Sequence, residues 1–266
     1  MARTRAAVLG SPISHSRSPR LHRACYERLG IAAEYSAIEV TEETFPKFWA
    51  DLDQSWLGLS LTMPLKRVVL PYLAALDEYA QQTGVVNTVV FTDNGPLGFN
   101  TDVVGFLETF QGMGIAFDPE LTPTILGSGA TAFSAICALA HRGSRHITVI
   151  ARNETAIASM RHRFPNIEVT WQSFELASPH GLVINTLPAQ VMPRLEPQQG
   201  QFLIDVNYDP APPPVLANWL RLGGNGCDGL ELLLHQGVAQ ALLFTGKIVD
   251  AEQLALLTAH ARSAIS

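Results

Sequence analysis

Along the first half of the chain, short apolar runs alternate with longer stretches whose apolar residues recur at helical spacing. The short runs predict buried strands and the longer stretches predict helices with one buried face. Strands are expected over Arg5–Leu9, Tyr35–Val40 and Leu57–Leu61. Pro19–Leu29 reads as a helix, with Ser18 as N-cap, Pro19 at its first position and Gly30 as its stop. Glu42–Leu52 reads as a second helix capped by Thr41, and Leu65–Gln82 as a third. Val85–Thr92 and Leu97–Asn100 flank Asp93-Asn94-Gly95, a hairpin signal. Strands that alternate with helices predict a mainly parallel sheet.

A second α/β run begins after Phe117-Asp118-Pro119-Glu120. Thr124–Leu126 predicts a strand that meets GSGATAFSAICALAHRG, a glycine turn opening a small-residue helix that stops at Gly143. His146–Ala151, Leu182–Asn185, Phe202–Val206 and Gly226-Cys227 read as later strands. ASPHG and DPAPPPV read as loops by their proline and glycine content. Leu230–Ser266 reads as two helices broken near Gly246, a tail of the kind that packs back on another domain.

The chain has 266 residues, enough for one large domain or two modest ones. At 47% hydrophobic and 16% charged, it has the composition of a soluble globular protein. A net charge of -6 without a basic stripe argues against nucleic acid as the main partner, but not against a small anion. Cys25, Cys137 and Cys227 are scattered and odd in number, which argues against a disulfide framework or a structural zinc site. The histidines lack metal-ligand spacing, so no metal is expected. The N-terminal apolar run is too short for a signal peptide, and no stretch approaches the roughly 20 apolar residues of a membrane span. A cytoplasmic enzyme without a membrane partner is the expectation.

The turn Gly127-Ser128-Gly129, between an apolar strand and a helix, has the context of a dinucleotide fingerprint, with Ala132 in place of its third glycine. The glycines let backbone approach a pyrophosphate, and the helix N-terminus offers it N–H groups. At the end of the next strand, an Asp or Glu would bind the ribose hydroxyls of NAD. Here Ala151 is followed by Arg152, which suits a 2′-phosphate and favours NADP.

Three stretches of the first half are odd as pure structure. GLSLTMPLK ends a buried-looking strand and puts Lys66 at an expected helix start, where the dipole disfavours a cation. GVVNTVV buries Asn87 and Thr88 in an apolar run, and buried amides need partners. GFNTD sets Asn100, Thr101 and Asp102 at a strand end. Strand C-terminal ends line the ligand crevice of parallel sheets. Ser14, Ser16, Thr62, Lys66, Asn87 and Asp102 fall at such ends and offer donors and acceptors for a small polyhydroxylated carboxylate. A lysine beside an aspartate suits proton transfer to a carbonyl oxygen that becomes an alcohol.

HSRSP, TMPLK, VVNT, FNTD and GLELLLHQ, in that order over almost the whole chain, resemble the shikimate dehydrogenase family. The resemblance implies reversible NADPH-dependent reduction of 3-dehydroshikimate to shikimate in aromatic amino-acid biosynthesis. It implies two domains around a cleft. Residues 1–103 with 236–266 would form a mainly parallel α/β substrate domain, to which the C-terminal helices return. Residues 104–235 would form a Rossmann-type NADP domain.

The resemblance puts Ser16 and Ser18, rather than Ser14, on the substrate carboxylate. Thr62, Lys66, Asn87 and Asp102 would hold ring hydroxyls, with Lys66 and Asp102 as the catalytic pair. Gln236 and Tyr208 would reach the same substrate. Gly127, Ser128, Gly129, Ala130, Arg152, Asn153 and the Gly229 that opens GLELLLHQ match cofactor positions. The chain departs from the family at Arg23 and Ser60, where Asn is usual or frequent, and at Val103 and Ala130, where Gly is frequent. None of these removes a proposed catalytic group. The alternatives are an NAD-linked quinate/shikimate dehydrogenase and a non-catalytic NADP-binding paralogue. A monomer or homodimer is expected.

Overall fold

The computed structural model of the protein describes residues 3–115, 122–152, 154–176 and 179–266. Phe117-Asp118-Pro119-Glu120, Asn153, and the Ala177-Ser178 of ASPHG lie outside the described residues. The chain divides into two compact units, Met1–Gly105 with Leu233–Ser266, and Phe106–Leu232.

In chain order, unit 1 begins with β1 (Arg5–Gly10), α1 (Ser18–Leu29), β2 (Glu34–Glu39), α2 (Phe45–Ala50) and β3 (Trp56–Leu61). It continues through β4 (Ala75–Leu76), α3 (Glu78–Thr83), β5 (Thr88–Thr92), β6 (Gly95–Phe99) and the start of α4 (Thr101–Gly112). Its sheet has the order β2-β1-β3-β5-β6-β4. The β1–β2, β1–β3 and β4–β6 pairings are parallel, while β5 runs antiparallel to β3 and β6. The β5–β6 hairpin turns at the expected Asp93-Asn94-Gly95, with Thr92 paired to Gly95. Leu59, Leu65, Phe45 and Val69 are fully buried on this sheet. Truncating such a leucine to alanine costs about 2–5 kcal/mol.

Three helix expectations change. Helix α1 starts at Ser18 itself, with Pro19 in its first turn, Arg17 before it and no side-chain cap, so Ser18 is not the N-cap. Its stop at Gly30 stands, in left-handed backbone at φ 66. Helix α2 is shorter than Glu42–Leu52, because Thr41 and Thr44 bond to each other and Thr44 takes the position before the helix. No helix runs over Leu65–Gln82. Pro71 lacks an N–H and would break its interior. The segment instead makes turns, one 3-10 turn over Leu70–Tyr72, the strand β4, and then α3 capped by Asp77, whose Oδ1 accepts from Ala80 N at 2.7 Å.

Unit 2 holds β7 (Thr124–Leu126), α5 (Ala130–His141), β8 (His146–Ile150), α6 (Thr155–Arg163), β9 (Glu168–Gln172) and β10 (Leu182–Asn185). β11 (Phe202–Asp205), α7 (Pro214–Arg221) and β12 (Asn225–Cys227) follow. The order is β12-β11-β10-β7-β8-β9, and every pairing is parallel. The order reverses around β7, where doubly wound sheets place their ligand. Strands buried on both faces read as unbroken apolar runs, as Ile125, Val149, Ile184 and Ile204 show with no exposure. The long helix α8 (Leu230–Thr245) leads into unit 1, where α9 (Ala251–Ile265) closes the chain behind a capping box from Asp250 and Gln253. Arg17 Nη1 donates to Ile265 O at 2.6 Å and so ties the start of α1 to the end of α9. Among the described residues, no helix is long and apolar enough to cross a membrane.

Candidate active site

Lys66 sits in the turn after β3, not at the start of a helix of its own. Its Nζ donates to Asp102 Oδ2 at 2.5 Å, and the two side chains are only 12% and 7% exposed. A buried ion pair is costly unless its remaining atoms are satisfied. Asp102 lies in the first turn of α4, where the helix end favours a carboxylate. Its other oxygen, Oδ1, accepts from Asn87 Nδ2 at 2.8 Å.

Asn87 stands just before β5 rather than inside it. Its Oδ1 accepts from Thr101 N at 2.8 Å, Thr88 Oγ1 at 2.8 Å and Thr101 Oγ1 at 3.1 Å. A backbone N–H can only donate, so the Thr101 contact fixes which end of the carboxamide faces Asp102. Asn87 Nδ2 also donates to Gln236 Oε1 at 3.3 Å. Gln236 comes from α8, where its Nε2 donates to Leu233 O at 2.9 Å. Lys66, Asp102, Asn87 and Gln236 are therefore brought together in unit 1.

Thr62 follows β3 directly, half-buried, with its N–H donated to Leu9 O at 2.9 Å. Ser16 Oγ accepts from Ser18 N at 3.3 Å, which leaves its own O–H as a donor. Ser18 is buried at 7% exposure and its hydroxyl is not used as a helix cap. Ser14 is exposed. Tyr208 belongs to unit 2, half-buried in the loop after β11.

A second layer of polar groups lies behind Asn87, and motif reading missed it. Gln240 Nε2 donates to Thr88 Oγ1 at 2.9 Å and to Asn87 O at 3.1 Å. Gln240 Oε1 accepts from Ser60 Oγ at 2.6 Å, and Ser60 Oγ accepts from Tyr35 OH at 2.7 Å. His22 Nε2 lies 3.3 Å from Gln240 Oε1, while its ring stacks on Tyr35 with centroids 3.9 Å apart. Burial holds the His22 imidazole neutral, with its pKa lowered to about 3 against a smaller opposing effect of the Gln240 bond. The signal was available. Gln240 is one helical turn beyond Gln236, a second glutamine on the same face of a mostly apolar helix.

In unit 2, Gly127 adopts φ +100, and a Cβ there would lie 2.7 Å from Thr186 Oγ1. Gly129 precedes α5, where a Cβ would meet nothing within 4 Å. That helix has no side-chain cap and no acidic residue in its first turn, which begins at Ala130 after Ser128 and Gly129. Backbone N–H groups at this helix end are thus left for an anion. Ala132 is fully buried under the turn. Arg152 is exposed just past β8, the strand paired with β7. This set fits a dinucleotide with a phosphate near Arg152. Gly229 packs against the end of β11: its N–H donates to Asn207 O at 2.9 Å, and a Cβ would lie 2.1 Å from Val206 O.

Residues 8–89 match the family model of the shikimate dehydrogenase substrate binding domain. The shikimate dehydrogenase (NADP(+)) of Oleidesulfovibrio alaskensis is 33% identical, over 96% of this chain and 94% of its own. The crystal structure of Mycobacterium tuberculosis shikimate dehydrogenase is similar with a TM-score of 0.81 and 33% identity, over 96% of this chain and 99% of that one. A Thermus thermophilus shikimate 5-dehydrogenase in complex with NADP(H) and shikimate is similar with a TM-score of 0.78 and 28% identity, over 98% of this chain and 99% of that one. The relatives extend over nearly the full chain at this level of identity: the chain belongs to the shikimate dehydrogenase family.

Proposed function

We propose that this chain catalyses the reversible NADP-dependent reduction of 3-dehydroshikimate to shikimate, a step of aromatic amino-acid biosynthesis. The observation that carries the reading is the buried Lys66–Asp102 pair, held by Asn87, in a chain of this family. Lys66 Nζ gives a proton to the ketone oxygen as it becomes a hydroxyl, and takes it back in the oxidative direction. Asp102 balances the ammonium charge and keeps Nζ in place. Asn87, Gln236 and Thr62 orient the ring hydroxyls. Ser16 and Ser18 donate to the substrate carboxylate as neutral groups and bury no further cation. Tyr208 completes the substrate contacts from the loop after β11.

Gly127, Ser128, Gly129 and Ala130 hold the pyrophosphate on backbone N–H groups, Arg152 with Asn153 holds the 2′-phosphate, and Gly229, close-packed on the end of β11, adds a further cofactor contact. When bound, NADPH supplies the hydride that reduces the ketone carbon. We assign substrate binding to residues 1–103 with 236–266, and nucleotide binding to residues 104–235. Three free thiols, two of them buried, support action in the reducing cytoplasm.

Reduced-nicotinamide absorbance in four parallel reactions tests the reading: shikimate or quinate, each with NADP or NAD. Turnover confined to shikimate with NADP is expected. Turnover mainly of quinate with NAD would assign the catabolic reaction, and silence in all four would remove the catalytic reading.

A further inference from the structure

The polar row behind Asn87 has no part in the mechanism above. We propose that Gln240 is a positioning residue for the Lys66–Asp102 pair, acting through Thr88 and Asn87. The inference rests on the dehydrogenase reading of that site.

The argument is one of direction along a chain of hydrogen bonds. Tyr35 OH donates to Ser60 Oγ, and Ser60 Oγ donates to Gln240 Oε1. Gln240 Nε2 then donates to Asn87 O and Thr88 Oγ1. Turning the Gln240 carboxamide over would set its oxygen against the Asn87 carbonyl, so only one orientation satisfies it. With Gln240 donating to one lone pair, Thr88 gives its single proton to Asn87 Oδ1 at 2.8 Å rather than to the Thr101 hydroxyl 3.2 Å away. Asn87 Oδ1 then gathers donors from Thr88 and Thr101, and its Nδ2 is left for Asp102 Oδ1. Each member polarises the next, and the low dielectric strengthens every bond. Ser60, Thr88, Asn87, Thr101 and Gln240 are all at most 3% exposed, so bulk water does not compete for these bonds. His22, neutral by burial, offers Gln240 Oε1 a second donor without adding charge. Asn87 would bond Asp102 less directionally without this support, and the carboxylate that anchors Lys66 would lose its fixed angle.

The test uses three full-length variants. Gln240→Met keeps the length and removes both polar atoms. Gln240→Glu keeps the acceptor and replaces the two-proton amide donor by a carboxyl that offers one proton at most. Thr88→Val cuts the row one step further on, and decides the matter should the Gln240 variants fail to fold. Two readouts are taken on folded protein: steady-state kinetics with shikimate and NADP, and the side-chain amide NMR signal of Asn87, assigned by its loss in Asn87→Asp. For each variant kcat is expected to fall about tenfold, with the shikimate KM within about threefold. The Asn87 signal is expected to shift. Gln240→Met combined with Thr88→Val is expected to be no worse than either alone, since both act through one row. Wild-type kcat in folded variants, an unmoved Asn87 signal, or additive losses would each overturn the proposal. A wild-type enzyme that fails to oxidise shikimate would sink the dehydrogenase reading instead, and the Asn87 signal would still decide the role of Gln240.

Discussion

At the strand ends of unit 1, Lys66, Asp102, Asn87 and Gln236 already bond to one another, and every group on offer is a side chain. At the strand end after β7 in unit 2, Gly127 and Gly129 offer bare backbone, and the helix that follows has no side-chain cap. The first arrangement recognises a ligand by functional groups held at fixed angles. The second recognises one by the absence of atoms. The two regions should therefore fail differently: unit 1 when a side chain is cut back, unit 2 when one is added.

The largest expected effect is on chemistry in unit 1. Lys66→Met keeps the aliphatic stem and removes the proton donor, so kcat should fall about 10²- to 10⁴-fold while shikimate binding weakens far less. Steady-state rates beside a shikimate titration check this, and an unchanged kcat would end the catalytic role of Lys66.

The next effect is on stability, again in unit 1. His22 titrates near 6.5 when unfolded and near 3 when buried. Between these values the unfolded chain takes up a proton that the native state refuses. The contribution is thus fully present above 6.5 and is lost as pH falls toward 3. The loss reaches about 2 kcal/mol by about pH 5. Urea unfolding of wild type and His22→Gln at neutral and acid pH should give a flatter profile for the variant by that amount. Parallel profiles would mean that His22 is not the neutral partner described.

The smallest effect is on cofactor choice in unit 2. Arg152→Gln should lower the preference for NADP over NAD about tenfold, with the shikimate KM unmoved. A constant preference ratio would detach Arg152 from the 2′-phosphate.

Most strand positions and the glycine turn were legible because they follow local rules: apolar runs, a hairpin dipeptide, and glycine between strand and helix; the short β4 and the polar-rich β9 follow none of these and were missed. The expected helix over Leu65–Gln82 failed because its apolar spacing outweighed Pro71 and Asp77 in the reading, whereas backbone chemistry obeyed those two residues. Lys66 stood out as a cation at an expected helix start, and Asp102 as a carboxylate at a strand end. Gln240 and Ser60 did not, since each bonds to groups far along the chain, and only the fold brings residues 22, 35, 60, 88 and 240 into one row. Ser18 was legible as a helix-start hydroxyl, but local preference assigned it to a cap that the helix does not use.

The contrast between the two regions is tested most directly by calorimetric titration of Gly127→Ala with NADP and, separately, with shikimate. The added methyl would press on Thr186 Oγ1 in backbone that disfavours any side chain. NADP affinity is expected to drop about tenfold or more, with shikimate affinity held within about twofold. Loss of both affinities in step, or retention of full NADP affinity, would contradict the assignment of substrate to the side chains of unit 1 and nucleotide to the backbone of unit 2.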